Sequence, residues 1–361
     1  MALSFDVWVA KLEPRHSQKL FSSKWNGIAF PLVKRRSPDS YLSKIHPETV
    51  FMVSYINTLK FRKQLNRFIA VVVLFALLFL ACLGYAYFIE PRRLVITRSE
   101  LKIKGWNPAF DGLKILMIGD VHGGSHYVTE EKLREVVAMT NEQEADIVVL
   151  LGDYVAQFNE EQPVEQRSLR MPIETIAAGL AGINSKYGVF AVLGNHDGWA
   201  GDQKIAAALS GNGYRVLQNE IATVEKDGGH LRILGFKDHL KLGSWKQVSD
   251  DSKELLANTG DGEIIALEHS PDIVPMITGD LSISPDLKLI LAAHTHGGQV
   301  WLPIFGRPIV PSIFGQKYAY GHVKENDVDI WVTSGVGISV LPIRFMVPPE
   351  IAVLTIRSDK N

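Results

Sequence analysis

The chain has 361 residues, of which 46% are hydrophobic and 21% are charged, so it can bury a large core and is not globally disordered. The formal net charge of -1 gives no general attraction to nucleic acid, and we expect no nucleic-acid partner. Cys82 is the single cysteine, which excludes a disulfide framework and a cysteine-based metal site. Any metal ligands must therefore be His, Asp, Glu or Asn side chains.

The first 67 residues contain no motif that assigns them a role, and we treat them as an N-terminal extension. A twin arginine in KRRSPDSYL lies too far before the next apolar run to act as its export signal. Met52 stands directly before a compact basic segment and that apolar run. We therefore expect Met52 to be the natural start, which would make residues 1–51 a misassigned extension.

Residues 68–89 carry no charge, and as a helix they would span about 33 Å, enough to cross a hydrocarbon core of about 30 Å. Tyr85, Tyr87 and Phe88 would form an aromatic belt at one interface. A buried core helix usually has a polar stripe, which is missing here. A cleaved signal peptide is the stronger alternative, because small residues stand at 84 and 86. We favour an uncleaved anchor in the cell membrane, with its orientation undecided because basic residues flank both ends.

Residues 90–361 are predicted to form one α/β domain. The alternating stretch RRLVITRSELKI predicts a strand, and aliphatic runs rich in Val and Ile predict buried strands. Helices are predicted over residues 129–143, with Thr129 as N-cap, and over 172–183 and 202–213. Strands that alternate with helices favour a sheet layered with helices.

Five of the predicted strands are followed directly by residues of types that ligate metals. The segments are LKILMIGDVHGG, ADIVVLLGDYV, KYGVFAVLGNHDG, GEIIALEHSPD and LKLILAAHTHGGQ, which supply Asp120, His122, Asp153, Asn195, His196, His269, His294 and His296. Strand ends in open α/β sheets converge at one edge, so these side chains are expected to meet. Each short motif alone is more often only a turn. Five such motifs in order, each at the end of a predicted strand, are not explained by turns alone. Because residues i and i+2 of a strand share a face, His294 and His296 are predicted to point the same way, each toward a different ion.

The ordered set DVH, GDY, GNHD, EHSPD and HTHGGQ resembles the calcineurin-like metallophosphoesterase superfamily, and looks closest to its membrane-linked YkuE/YaeI-like group. The resemblance covers roughly residues 91–361 and includes HGGQVWLPIFG and SGVGISVLPIRFMVPPEI. It implies an α/β fold, the metallophosphoesterase αββα sandwich, here preceded by a single transmembrane helix. Two departures are visible: Gly119 stands where Ser is usual, and Ala293 stands where Gly is usual. Neither removes a ligand.

The resemblance also implies two divalent metal ions held by two ligand sets that share Asp153. One set is Asp120, His122, Asp153 and His296; the other is Asp153, Asn195, His269 and His294. Mixed nitrogen and oxygen ligands suit Mn²⁺, Fe or Zn²⁺ and disfavour Ca²⁺.

Under this scheme a water with its pKa lowered toward about 7 would attack phosphorus in line. His196 would act on the leaving oxygen by protonating it or by stabilising its developing charge, and Asp197 would orient that imidazole. A spare metal ligand or a turn residue is the alternative for His196.

The segment VWLPIFGRPIVPSIFG follows the last histidine motif and is predicted to be a loop, because three prolines interrupt it. Trp301 and Phe305 in this loop would contact an apolar substrate or a membrane; a cap on the domain core is the alternative. Arg344 is a candidate phosphate ligand, with a surface salt bridge as the alternative.

These observations predict a membrane-anchored, metal-dependent phosphoester hydrolase. The family resemblance points to a lipid-linked phosphodiester or pyrophosphate similar to UDP-2,3-diacylglucosamine, as in lipid A synthesis, with manganese as a candidate metal. The alternatives are a general phosphodiesterase or phosphatase for soluble substrates, and a non-catalytic metal-binding sensor module. The expected partners are a phosphoester substrate and a lipid bilayer.

Overall fold

The structure, a computed structural model, describes residues 47–156, 169–238 and 243–359. Residues 1–46, most of the N-terminal extension, lie outside the described residues. Helix α1 (Pro47–Phe88) contains the apolar stretch 68–89 almost to its end and passes through Met52 without a break. It is long and apolar enough to cross a membrane, and none of its most apolar 18-residue window is buried. Pro91, which lacks an N–H, follows shortly after the helix ends.

The first of two six-stranded sheets carries the N-terminal half of the domain and the last strand. Its order is β1 (Val95–Lys104), β12 (Glu350–Asp359), β2 (Leu113–Ile118), β3 (Ile147–Leu151), β4 (Val189–Val192) and β5 (Arg215–Val216). Strands β2 to β5 are parallel, whereas β12 runs antiparallel to β2 and parallel to β1. The predicted strand at RRLVITRSELKI is thus confirmed as β1.

The second sheet is also mixed, but its antiparallel pairs lie at the edges. Its order is β10 (Gly321–Glu325), β11 (Val328–Val332), β9 (Leu287–Ala292), β8 (Glu263–Leu267), β7 (Gly229–Gly235) and β6 (Glu220–Lys226). Strands β7, β8, β9 and β11 are parallel, and an antiparallel hairpin partner stands at each edge. The carboxyl ends of the parallel strands therefore share one edge within each sheet.

Helices cover the outer face of both sheets. They are α2 (Glu130–Asn141), α3 (Ile173–Leu180), α5 (Asp202–Gly211), α6 (Trp245–Ala257) and α7 (Val274–Thr278), whereas the short helix α4 (Asn195–Ala200) follows soon after β4 and precedes α5. One hydrophobic cluster lies between the sheets, a second joins the first sheet to α2, α3 and α5, and a third joins the second sheet to α6 and α7. This is the αββα sandwich that was expected. Thr129 caps α2 as predicted, since its side chain accepts from Lys132 N.

Candidate metal centre

The loops after β2, β3, β8 and β9 are hydrogen-bonded to one another across the two sheets. Asp120 N donates to Gly152 O at 3.0 Å, and Ala293 N donates to His269 O at 2.9 Å. Between the sheets, His294 N donates to Asp120 Oδ1 at 3.1 Å. The polar residues that follow these strands are therefore gathered into one site at the shared edge.

Five residues of this site have a positive φ, between 45° and 68°. They are Asp120, His122, Asp153, His294 and His296. The left-handed conformation costs an L-residue roughly 1–2 kcal/mol, although Asp, Asn and His tolerate it better than most. Backbone strain concentrated in this way is typical of functional sites, where the surrounding structure holds it in place.

Glycines let the backbone approach the two aspartates. A Cβ on Gly194 would lie 2.2 Å from Asp153 Oδ1, and a Cβ on Gly335 would lie 2.7 Å from Asp120 Oδ2. Gly335 belongs to the SGVGISV motif, whose role the sequence alone does not reveal. Gly337 of the same motif donates its N–H to Asp120 O at 2.6 Å. The motif therefore forms part of the wall around Asp120.

The candidate ligands form two adjacent clusters. In the first, His122 Nε2 lies 3.1 Å from His296 Nε2, which lies 3.8 Å from Asp120 Oδ1. In the second, His269 Nε2 lies 3.2 Å from Asp153 Oδ2 and 3.1 Å from His294 Nδ1. Asp153 Oδ2 also lies 3.6 Å from His122 Nε2, so the Asp153 carboxylate stands between the clusters.

Hydrogen bonds to backbone carbonyls fix the orientation of two of these imidazoles. His122 Nδ1 lies 3.1 Å from Val155 O, and His269 Nδ1 lies 2.7 Å from Leu151 O. A carbonyl oxygen can only accept, so Nδ1 carries the hydrogen in both rings and Nε2 faces the cluster. Histidine ligands of metals are commonly held in this way.

Among the candidate ligands, two buried oxygen atoms lack a hydrogen-bond donor in the described part of the chain: Asp120 Oδ2 and Asn195 Oδ1. Leaving a buried acceptor unsatisfied is costly, so such atoms call for an explanation, and a bound cation is one. A divalent cation would satisfy both atoms. With four imidazoles, two carboxylates and one amide at hand, the residues fit the two-metal centre that the sequence predicts.

Burial and ion pairing shift the pKa values of four candidate ligands. Burial raises the pKa of Asp120 to about 7 and lowers the pKa of His122 to about 3. Burial also opposes charge on His269, but the adjacent Asp153 carboxylate outweighs it and raises the pKa of His269 well above its usual range. The same pairing holds the pKa of Asp153 well below its usual range despite burial. A proton on His269 and a metal ion would each balance the same negative charge, so metal binding competes with protonation of His269.

The predicted strand geometry for His294 and His296 is wrong, although both residues reach the site. Strand β9 ends at Ala292, and His296 begins a short 3-10 turn that ends at Gly298. The two imidazoles separate because both residues are left-handed and not extended. His294 therefore joins the second cluster and His296 joins the first.

His196 lies at the edge of the two clusters and, with His122 and Asp153, forms a third group whose ligand atoms all lie within 4.8 Å of one another, so the alternative of a spare metal ligand stays open. It is partly buried, and its ring centroid lies 4.8 Å from that of His122 and 4.9 Å from that of Trp199. Its backbone N–H donates to Asp153 Oδ1 at 2.8 Å. The imidazole is thereby placed next to the candidate ligands, where a substrate would approach.

Asp197 is fully buried, and its carboxylate accepts four backbone hydrogen bonds. Oδ2 accepts from the N–H groups of Asp153 and Gly194, and Oδ1 accepts from those of Tyr154 and Val155. These bonds position the Asp153 loop, which differs from the expected task of orienting His196. Burial raises the pKa of Asp197 to about 7.

Arg344 does not have the surroundings of a phosphate ligand. Its side chain is 0% exposed, and the guanidinium donates to backbone carbonyls, including Ser334 O at 2.7 Å and Gly337 O at 2.7 Å. It therefore holds the glycine motif that surrounds Asp120, and is a positioning residue. The surface salt bridge considered as an alternative is also not found, because the group is buried.

The loop over residues 300–315 lacks helices and regular strands, as predicted. Trp301 is 37% exposed and Phe305 is 74% exposed, so neither caps the core fully. Gln299, at the start of this loop, was not singled out in the sequence. Its side chain donates to Leu341 O at 2.9 Å and accepts from Ser339 N at 2.7 Å. The HGGQ segment thus fastens the loop to residues 339–346.

Two cavities of different character meet at His196. One of about 400 Å³ has candidate ligands on one side and the apolar side chains of Val300, Ile309, Val340 and Leu341 on the other. The other, of about 470 Å³, has a polar lining that includes Ser125, His126 and Arg170. The site can therefore accommodate a molecule with an apolar part and a polar part.

Comparison with known proteins agrees with this geometry. The family model "Calcineurin-like phosphoesterase" matches residues 113–298. An uncharacterized metallophosphoesterase, YkuE of Bacillus subtilis, is 31% identical over 278 residues, which are 76% of this chain and 90% of that protein. Phosphodiesterase YaeI of Escherichia coli is 27% identical over 75% of this chain and 91% of its own length. A "transmembrane protein with metallophosphoesterase domain" from Danio rerio is 27% identical over 77% of this chain but only 60% of its own length.

Proposed function

Because this chain belongs to the calcineurin-like phosphoesterase family, we propose that it is a membrane-anchored hydrolase of a lipid-linked phosphodiester or pyrophosphate. The family uses two divalent metal ions, and the observation that carries the proposal is the pair of clusters that meet at Asp153. The name of the relative YaeI supports a diester as substrate. The name of the Danio rerio relative and the exposed apolar part of α1 support membrane attachment.

We assign one ion to Asp120, His122, Asp153 and His296, and the other to Asp153, Asn195, His269 and His294. When bound, two such ions supply positive charge to the phosphate oxygens and generate a nucleophile at neutral pH. The carboxylate of Asp153, which belongs to both ligand sets, would offset the repulsion between the two cations. The mixed nitrogen and oxygen donors are compatible with Mn²⁺, Fe or Zn²⁺.

The remaining residues orient the substrate and move the proton. His196, on the border between the two cavities, delivers a proton from an imidazole nitrogen to the leaving oxygen. Asp197 keeps the Asp153 loop in place through its four backbone hydrogen bonds. The apolar wall beside the ligands excludes water from one side of the reacting phosphate.

The contrast between the two cavities supports an amphiphilic substrate. An acyl chain would lie against Ile309, Val340 and Leu341, and the polar part would lie toward Ser125 and Arg170. A lipid-linked sugar nucleotide such as UDP-2,3-diacylglucosamine has this composition. A soluble phosphodiester would leave the apolar wall exposed to water and would forgo the gain of about 25 cal/mol per Å² that burial of this surface by an acyl chain provides.

Purified full-length protein with Mn²⁺ should be tested on a panel that contains a UDP-linked diacyl sugar, a phospholipid, a nucleotide and an aryl phosphodiester. We expect metal-dependent release of product, with the highest kcat/KM on an acylated substrate. Preference for the nucleotide would favour the soluble alternative. Two bound metals without turnover of any member would favour the sensor module.

A further inference from the structure

Six large apolar side chains protrude from the two loops beside the candidate metal centre. We name this surface the apolar rim; its members are Ile304, Phe305, Ile309, Ile313, Val340 and Leu341. Ile304 is 99% exposed, Val340 is 98% exposed and Ile313 is 81% exposed. Single exposed apolar residues are ordinary, but an exposed apolar group around one opening marks an interaction surface.

Two rim residues occupy a strained backbone conformation. Ile304 has a φ of 77° and Val340 has a φ of 58°. For a β-branched residue the left-handed region is a genuine outlier, and Gly or Asn would be more stable there. The strain is not repaid by packing within the chain, because both side chains project into solvent. We therefore expect these two side chains to contact something outside the chain.

The rim is an ordered surface. Leu302 N donates to Gly306 O at 2.8 Å beneath the tip at Ile304, and Ile313 N donates to Asp272 Oδ2 at 3.1 Å. Gln299 binds the second loop through Ser339 and Leu341, and so joins the two loops into one piece. The apolar side chains are thus presented by hydrogen-bonded turns and lose little conformational freedom on binding.

The rim is attached to the end of the apolar helix α1. Arg344 N, three residues after Leu341, donates to Ala86 O at 3.0 Å, and the ring of Phe345 lies edge-on to that of Tyr85 at 6.3 Å. Trp301 N donates to Phe345 O at 2.9 Å, which ties the other loop to the same point. Ala86 lies where the apolar segment ends, so this joint sets the rim at the level where α1 would leave a bilayer.

Charges near the joint agree with that level. Arg93 Nη1 donates to Tyr85 OH at 2.8 Å, and the Arg92 guanidinium lies 4.1 Å from the centre of the Tyr127 ring. Arginine and tyrosine together at the end of an apolar helix are typical of the lipid headgroup region.

We propose that the apolar rim inserts into the same bilayer that α1 crosses, so that the cavity beside the metal centre opens directly onto lipid. Ile309, Val340 and Leu341 belong to both the rim and the cavity wall. An acyl chain could therefore pass from the bilayer to the site without crossing water. This inference deepens the proposed function and relies on it only for the identity of what enters.

The depth of the rim can be measured without turnover. Cys82 is replaced by Ala, since it is exposed and the only cysteine, and a nitroxide is attached to full-length Ile313→Cys or Leu341→Cys protein in single-copy nanodiscs. Collision rates with oxygen and with a water-soluble nickel chelate report the depth. The matched control is Glu225→Cys on the exposed β6–β7 hairpin.

We expect both rim labels to be accessible to oxygen and shielded from nickel, and the label at 225 to show the reverse. Ile304→Asn with Val340→Asn should move the rim labels toward water while the melting temperature in detergent stays unchanged or rises, because Asn relieves the strain. Rim labels as exposed to nickel as the label at 225 would overturn the inference. Shielding that requires two copies per disc would also overturn it, in favour of a dimer contact. Metal-dependent hydrolysis of an aryl phosphodiester by the same proteins tests the proposed function separately.

Discussion

Gly119 and Ala293 face each other across the two sheets so closely that a Cβ on Gly119 would lie 2.5 Å from the Cβ of Ala293. The resemblance described for the sequence leads us to expect Ser and Gly at these two positions, where this chain has Gly and Ala. The close contact between the two positions accounts for a change at both together. There is room for one side chain at this contact, and in this chain that side chain is the methyl group of Ala293, which follows a strand of the second sheet.

Gly119→Ala should therefore destabilise the protein by about 1–3 kcal/mol, the usual cost of overpacking. Ala293→Gly in the same chain should restore most of that loss, because the next atoms, Thr333 Cγ2 and Leu151 Cβ, are 3.4 Å and 3.5 Å away. Denaturation of the four proteins of this double-mutant cycle gives the coupling energy. Gly211→Ala is the control, since no atom lies within 4 Å of its added Cβ. Strictly additive effects would show that the two residues do not compete for one space.

The sequence predicts the strands, the layered fold and the candidate ligands because each depends on local order. Apolar runs define β2, β3, β4, β8 and β9, and the polar residues follow directly. What the sequence could not give are relations between distant segments. The role of Arg344 depends on burial under the 334–348 segment, and the role of Asp197 depends on the folded-back Asp153 loop. Left-handed φ at His294 and His296 arises from the tight turn, which an alternation rule does not capture.

Asp153→Asn should leave the fold intact and abolish turnover. The carboxylate stands between the two clusters, and an amide cannot offer the negative charge that two cations share. Metal analysis and the melting curve of the purified variant should show fewer than two bound ions and a folded protein. Near wild-type activity with two bound metals would contradict the position given to Asp153.

His196→Ala should keep both metals and lower turnover by roughly 100-fold or more, the usual scale of general acid–base catalysis. The loss should be smaller for an aryl phosphodiester with a good leaving group, because that oxygen needs no proton. Comparing kcat on substrates of graded leaving-group pKa, alongside metal analysis, separates this role from ligation. Loss of one ion would make His196 a ligand.

Asp197→Asn should lower activity by weakening metal binding and not by impairing proton transfer. The amide nitrogen cannot accept, so two of the four backbone N–H groups that Asp197 now satisfies would lose their partner. We expect metal affinity to fall by about 10–100-fold, as for other partners that hold ligands in place. Excess metal should recover much of the turnover, whereas it should not rescue His196→Ala. An unchanged metal affinity with reduced kcat would instead support the expected role of orienting His196.

Ile309→Ser with Leu341→Ser should separate acylated from soluble substrates. Both side chains line the cavity beside the ligands, and each contributes about 1.5–3 kcal/mol when it is buried by a bound chain. Loss of both should lower kcat/KM on a diacylated substrate by a factor of about 100 or more, even with short, water-soluble chains. An aryl phosphodiester should be hydrolysed almost as before. The melting temperature should stay nearly unchanged, because Ile309 is 66% exposed, Leu341 is 48% exposed, and neither belongs to the buried core.

The Ile309→Ser, Leu341→Ser variant should be compared with the Trp301→Ser, Phe305→Ser variant. These two residues lie in the loop over residues 300–315, and neither is among the described residues that line the cavity. Because these side chains face outward, their loss should weaken action on a diacylated substrate presented in vesicles but spare its short-chain analogue. The two double variants thus test the cavity wall and the membrane contact separately. Equal losses on the acylated and aryl substrates, together with a lower melting temperature, would mean that the loop caps the core and does not bind lipid.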